Sequence, residues 1–288
     1  MVRLPHTLFA LPFAGVGVVL GTRAAPGRFG WWVVVWVVIG FTAARFAAMA
    51  FNRIVDRSYD ALNPRTAGRE IPSGRLTAGQ AAVSVAIASA VFIAAAWQLN
   101  PLCGLLAPIA LAWVLLYSYT KRFTSLAHLV LGLGLGIAPV GGYLAVTGAW
   151  SEPWFALVLL AFAVMLWVAG FDVIYSLQDV PFDRVQGLHS IPARVGIAWA
   201  LRIARLFHAL AVVLLGTLWV LGWLDLGWLF LAAVALMAAT LHLGHTHVGS
   251  PTASDLDIAR IDRAFFRTNV IVSSSFFALT LLDRLLIG

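Results

Sequence analysis

Along this chain apolar residues come in long unbroken runs, and polar residues gather in short clusters between them. Runs of about 17–25 residues, enough to cross a hydrocarbon core of about 30 Å, fall near 7–22, 31–51, 79–97, 102–119, 125–147, 153–177, 199–221, 223–243 and 264–285. None alternates with the two-residue period of a half-buried strand, and lipid admits only helices or closed barrels, which satisfy their own backbone hydrogen bonds. The pattern predicts an all-α integral membrane protein, a bundle of about nine transmembrane helices forming a single domain over residues 1–288.

Composition supports a membrane solvent: 61% of residues are hydrophobic and 11% charged, with mean hydropathy +0.93, whereas a water-soluble domain carries about a quarter charged residues. Cys103 is the single cysteine, which excludes an internal disulfide and a cysteine metal cluster and leaves helix packing as its role. Arg3 ahead of an apolar run and Ala24–Ala25 behind it have the outline of a signal peptide, but Pro5, His6, Pro12 and a poor cleavage site favour a retained first helix. Tryptophans mostly flank the spans, as interfacial anchors do.

Charge orients the bundle. With nine spans, the connections 52–78, 120–124, 178–198 and 244–263 share one side with the N-terminus. Of 19 Lys and Arg, only Arg23, Arg28 and Arg284 fall on the other side, and Arg45 lies within a span. The positive-inside rule makes the basic side cytoplasmic. The net charge of +7 is then mostly a topology signal, and no motif calls for a nucleic-acid partner.

Acidic residues should avoid that side if charge served only orientation, yet of 12 only Glu152, Asp225 and Asp283 are elsewhere. Six cluster in "NRIVDRSYDALNPRTAGREIPSGR", which holds Asn52, Asp56, Asp60 and Glu70, and in "FDVIYSLQDVPFD", which holds Asp172, Asp179 and Asp183. Both segments follow helices running inward, so both lie at cytoplasmic helix ends. Residues at i, i+4 and i+8 of a helix sit a turn apart and drift only about 40° per step. Asn52, Asp56 and Asp60 therefore form one polar stripe, Asp179 and Asp183 a second, and Asp172 lies two turns deeper on nearly the same face. All-oxygen donors suit Mg²⁺, which takes one or two carboxylates and completes its shell with water and substrate phosphate. Two facing stripes would hold a diphosphate through bridging metals.

Basic residues complete the constellation. Arg45, seven residues before Asn52, points from the same face into the bundle, where a guanidinium needs an anionic partner. Lys121 and Arg122 in "YSYTKRF" enter the same surface, where Arg53, Arg69, Arg75 and Arg194 are also available. Metal together with Arg and Lys is how proteins clamp a departing diphosphate.

Other features read more plainly. Acids and arginines at one helix end make a solvated, ion-paired rim, but two matched stripes on parallel helices favour a site. "HLGHTH", with His242, His245 and His247, has metal-ligand spacing but falls in a connection without a partner cluster, and reads as an exposed, pH-sensitive loop. "GLGLGIAPVGG" lies within a span and permits close helix packing rather than cradling phosphate. A cation-coupled transporter would also carry acids in a helical bundle, but near the midplane on broken helices. A phosphatidyl-transfer enzyme would want Mg²⁺ too, but the D-G-x-x-A-R type of core expected there is absent.

The two acidic stripes resemble the signatures of the UbiA superfamily of intramembrane aromatic prenyltransferases, N-x-x-x-D-x-x-x-D on the second helix and D-x-x-x-D after the sixth. Asn52, Asp56 and Asp60 match the first, Asp179 and Asp183 the second. The flanks "NPRTAGREIPSGRLT", "YSYTKRFTSLAHLVLGLGLGIAPVGGYLAVTG" and "GLHSIPARVG" are similar to the 4-hydroxybenzoate polyprenyltransferase branch and its relatives in menaquinone-making bacteria. Arg53 departs from the pattern, standing where many members carry a second acid beside the Asn.

The resemblance implies a cavity opening on the cytoplasmic side of the inner membrane. There Mg²⁺ on Asp56, Asp60, Asp179 and Asp183, with Lys121 and Arg122, neutralises the diphosphate of a polyprenyl donor so that its allylic C–O bond ionises. The carbocation then attacks an aromatic acid ortho to its hydroxyl, in ubiquinone- or menaquinone-type quinone synthesis. It also implies that Asn52 orients the donor or a metal-bound water, and that Asp172, Arg45 or Arg69 places the aromatic acid. The acceptor stays open between 4-hydroxybenzoate and a bicyclic naphthoate.

Overall fold

The computed structural model describes residues 10–249 and 258–287, so Arg3, Pro5 and His6 lie outside the described residues. Nine apolar helices carry the architecture among those residues: α1 (Leu11–Ala24), α2 (Trp31–Val55), α4 (Ala78–Leu99), α5 (Pro101–Thr120), α6 (Ala127–Thr147), α7 (Phe155–Tyr175), α10 (Ile197–Val220), α11 (Trp228–Val248) and α12 (Ile258–Ile287). Three short helices sit between them: α3 (Arg57–Leu62), α8 (Val180–Val185) and α9 (Ile191–Val195). No strand occurs among the described residues. Eight of the apolar helices are long enough to cross a bilayer, while α1 has 14 residues, about 21 Å at 1.5 Å per residue.

Local signals place the helix starts. Thr77 and Gln80 form a reciprocal capping box at the head of α4, with the Gln80 N–H donating to Thr77 Oγ1 at 3.1 Å. Asn100 caps α5 by accepting from the Cys103 N–H at 2.9 Å, with Pro101 at the first helical position. Observed helices follow the apolar runs within a few residues, except that α12 begins at Ile258, ahead of its run, and the eighth begins at Trp228 rather than near 223. Asp283 of α12 explains the shift, accepting from the Gly227 and Leu229 N–H groups at 2.8 and 3.0 Å and so supplying the cap from a distant helix. The connection before it turns through Gly222, Leu224 and Asp225, all at positive φ.

Helices α1, α6, α7, α10, α11 and α12 close on one another in a ring, and α2, α4 and α5 pack in sequence beside α6. Buried Phe13, Trp167, Phe230 and Phe276 meet within the ring: Phe13 lies 4.8 Å from Trp167 and 5.6 Å from Phe276, centroid to centroid, and Phe276 lies 5.2 Å from Phe230. Such a cluster keeps a fixed geometry because tilted and edge-on rings interlock. The glycine-rich run packs helices as expected. A Cβ on Gly136 would stand 2.5 Å from the Ala161 carbonyl oxygen, and one on Gly132 or Gly142 would overlap the backbone of Met165 or Ala14. Cys103 is buried in the packing.

The histidine tract is a correction. His242, His245 and His247 stand on the last turns of α11, not in a loop, because the apolar face of that helix continues past the polar residues. His245 is buried and its Nε2 lies 2.8 Å from Nδ1 of His208 on α10; His208 Nε2 lies 3.2 Å from the Trp167 carbonyl oxygen. A carbonyl can only accept, so His208 carries its proton on Nε2 and its Nδ1 accepts from His245.

Connections segregate by end. Residues 52–75, 121–128 and 179–194 bond to one another across the bundle. At the opposite end Arg28 reaches the Thr147 carbonyl, Asn100 the Leu144 carbonyl at 2.8 Å, and Arg23 pairs with buried Asp283 at 3.2 Å.

Candidate active site

Helix α2 stops at Val55, yet the first acidic stripe survives the break. Asp56, at φ −90° and ψ 6°, bends the chain between α2 and α3. The i to i+4 bonds continue through it, Asp56 N–H to Asn52 carbonyl at 2.9 Å and Asp60 N–H to Asp56 carbonyl at 2.8 Å. Asn52 Nδ2 donates to Asp56 Oδ2 at 2.8 Å, which fixes that carboxylate in the stripe. The second stripe is built differently, since α7 tightens into a 3₁₀ turn over Ser176–Asp179 before α8 begins. That turn sets Asp179 and Asp183 at the junction, both buried.

Loops after the first stripe tie it to the second. Arg65 grips Asp179 with both arms, Nε to Oδ1 at 2.9 Å and Nη2 to Oδ2 at 2.7 Å, and Asn63 Nδ2 donates to Oδ1 at 3.4 Å. Arg69 Nη1 meets Asp60 Oδ1 at 2.6 Å. Arg122 spans from the third connection, donating to the Val55 carbonyl at 2.7 Å and lying 3.4 Å from Asp56 Oδ1. Its guanidinium sits 5.3 Å from the ring centroids of both Tyr59 and Tyr119, and cation–π attraction holds it there.

Lys121 is the electrostatic hub. Burial opposes its charge, but Asp183, Asp172, Asp179 and Asp56 together outweigh that penalty and raise it above the usual lysine value. Asp56 moves up from the ordinary carboxylate range through burial and the neighbouring Asp60, against the opposing pull of Arg122, Asn52 and Lys121. The peptide carbonyl of Lys121 accepts from the His189 N–H at 2.6 Å, joining this connection to the segment behind the second stripe. Arg53 is half-buried at the end of α2, and Arg45 is half-buried earlier in the same helix.

Asp172 is turned towards His128, whose Nδ1 lies 2.6 Å from its Oδ2. Sequence reasoning did not single out His128, Arg65, Asn63, Tyr117 or Ser190. Arg65 and Asn63 stand in the already conspicuous "NPRTAGR", and Tyr117 precedes Lys121 by four residues, hence on its face. Ser190, which hydrogen-bonds Asp183, carried no pattern of its own. An open cleft of about 500 Å³ flanks Asp183, lined by Phe123, Arg184, His189, Ser190 and Arg194 among others.

Fitness for a metal rests on the donors. Oδ2 of Asp60 and Oδ2 of Asp183 are buried without a hydrogen-bond partner, and a buried carboxylate oxygen is costly until something positive or protic reaches it. Among the described residues no three acidic, histidine or cysteine side chains converge into one ligand shell. Each stripe instead offers a pair of carboxylates, the number Mg²⁺ takes when water and phosphate complete its shell. The residues therefore fit a hard divalent cation whose remaining ligands come from solvent and substrate.

Residues 10–270 match the UbiA prenyltransferase family. The 4-hydroxybenzoate octaprenyltransferase of Idiomarina loihiensis is 33% identical over 218 residues, covering 76% of this chain and 70% of that protein. The apo structure of a UbiA homolog from Aeropyrum pernix K1 superposes with a TM-score of 0.85 at 35% identity, covering 98% of this chain and 99% of the other. A UbiA homolog from Archaeoglobus fulgidus, bound to DMAPP and Mg²⁺, shares the fold at a TM-score of 0.71 and 18% identity, covering 97% and 96% of the two chains.

Proposed function

The chain belongs to the UbiA prenyltransferase family and is a prenyltransferase, and we propose that it transfers a polyprenyl group from polyprenyl diphosphate to an aromatic acid, 4-hydroxybenzoate, at the carbon ortho to the hydroxyl. The observation that carries this reading is the convergence of both acidic stripes on Lys121, with Arg65 joining the loop of the first stripe to Asp179 of the second. The Archaeoglobus relative holds DMAPP with Mg²⁺, and the Idiomarina relative is named for 4-hydroxybenzoate.

Asp56, Asp60, Asp179 and Asp183 would hold Mg²⁺, which when bound supplies positive charge against the donor diphosphate. Lys121 and Arg122 bind the diphosphate oxygens and stabilise the charge that accumulates as the allylic C–O bond breaks. Asn52 keeps Asp56 in register. Arg69 and Arg65 hold Asp60 and Asp179 in place before substrate arrives, so that little reorganisation is needed at reaction. Arg53 adds charge on the donor side, and Arg45 and Asp172, deeper in the bundle, face the acceptor. Apolar helices around the site keep water from the carbocation, and the polyprenyl tail extends between helices towards lipid. The excess of Lys and Arg at this end supports reading it as the cytoplasmic face of a bacterial inner membrane.

Membranes containing the protein, incubated with labelled prenyl diphosphate, Mg²⁺ and a panel of aromatic acids, should yield prenylated 4-hydroxybenzoate by mass spectrometry. A product only from a bicyclic naphthoate would replace the acceptor while keeping the chemistry, and no prenylated arene at all would overturn the reading.

A further inference from the structure

We propose that Asp172 is the catalytic base that takes the ring proton after the new carbon–carbon bond forms, and that His128 is the positioning residue that aims it. This rests on the aromatic-acceptor reading above.

The tautomer of His128 follows from its partners. Its ring is fully buried at the start of α6, and Nε2 receives the Ile191 N–H at 3.3 Å. A nitrogen that accepts carries no proton, so the neutral imidazole is protonated at Nδ1 and donates to Asp172 Oδ2 at 2.6 Å. Oδ2 is thereby committed. Oδ1 makes no hydrogen bond among the described residues, and the Asp172 side chain retains 20% of its accessibility although it belongs to the last turns of α7. It therefore opens into the site, within the fields felt by Lys121 and Tyr117.

Asp172 also differs in its partner from three of the four metal-holding acids, Asp183 being held by the Ser190 hydroxyl. Asp56, Asp60 and Asp179 are each paired with a guanidinium. Asp172 is oriented by a neutral N–H at Oδ2, which fixes the direction of the carboxylate and leaves Oδ1 towards the site. Both features suit a base rather than a ligand.

Electrons balance as follows. The allylic C–O bond breaks with its pair on the diphosphate oxygen, and a ring π pair forms the bond to the allylic carbon. The substituted ring carbon still bears hydrogen; its C–H pair returns to the ring, and the proton passes to Asp172 Oδ1, giving a neutral carboxyl that later loses the proton to solvent. His128 keeps its Nδ1–H throughout.

The test compares Asp172→Asn, His128→Leu and His128→Asn with wild type. The acceptor is 4-hydroxybenzoate with hydrogen or deuterium at both carbons ortho to the hydroxyl, and the donor a short prenyl diphosphate with Mg²⁺. Donor ionisation precedes proton loss, so wild type should show no primary isotope effect. Asp172→Asn should lower kcat by about 10²-fold or more, leave KM for both substrates nearly unchanged, and expose a primary isotope effect. His128→Leu should do the same more weakly, and His128→Asn, which keeps an N–H near the Nδ1 position, should recover part of the loss. Wild-type kcat in Asp172→Asn, or a fall without an isotope effect in protein that still binds the donor, overturns the proposal. If Asp172→Asn does not accumulate, the His128 pair decides: equal rates and no isotope effect in either overturn it. Should wild type prenylate no aromatic acid, the acceptor reading fails and this inference with it; a prenylating wild type isolates the question of the base.

Discussion

Arg65 and Asp179 meet in a two-pronged ion pair, Nε to Oδ1 at 2.9 Å and Nη2 to Oδ2 at 2.7 Å, across 114 residues of sequence. Planar bidentate contact fixes orientation as well as distance, which a lysine cannot reproduce. Arg65→Lys should therefore lose activity although charge is kept, and Arg65→Gln should lose about 10²-fold or more in kcat, in the range seen for other preorganised electrostatic groups. Steady-state kinetics on normally expressed variants checks this; full activity in Arg65→Lys would show that only charge matters there.

Both acidic stripes are expected to act as one unit. Asp56→Asn and Asp183→Asn should each lower turnover by about 10²–10³-fold with little change in protein amount. The double variant should lose far less than the product of the two, since groups acting together are non-additive. Glu152→Gln, exposed at the opposite end, should be silent.

Orientation predicts which surface reagents reach. Cysteines introduced at Ser73 and Val185, both exposed at the active-site end, should resist an impermeant thiol reagent in intact cells, while one at Glu152 should react. Native Cys103 is buried and should stay silent. Labelling of residue 73 or 185 from outside would invert the topology and remove access to a cytosolic donor.

Glycine substitutions should separate packing from chemistry. Gly136→Ala places a Cβ 2.5 Å from the Ala161 carbonyl oxygen, so α6 and α7 must move apart, at a cost of about 1–3 kcal/mol by analogy with overpacked cores. Gly141→Ala, on the same helix, meets nothing within 4 Å and should be tolerated. Thermal unfolding in detergent would rank the two; equal melting temperatures would contradict the close contact.

Sequence alone determined the class of solvent, the helices and the first acidic stripe, because each depends on neighbours a few residues away. Twenty apolar residues in a row need lipid wherever they fold, and the i to i+4 spacing of Asn52, Asp56 and Asp60 survives the bend at Asp56 because the local hydrogen bonds continue through it. The glycine run likewise announced close packing. What only the tertiary structure decided is which charges meet. Arg65 rather than another arginine holds Asp179, because the loop after α3 folds back over α7. His128 orients Asp172, because α6 and α7 lie side by side. Asp283 starts α11 from α12, and His245 leaves the surface to bond His208. Those pairings join residues 37 to 114 positions apart, and no local period in a chain specifies them, since helix packing selects a partner only once the helices have faces to present to one another.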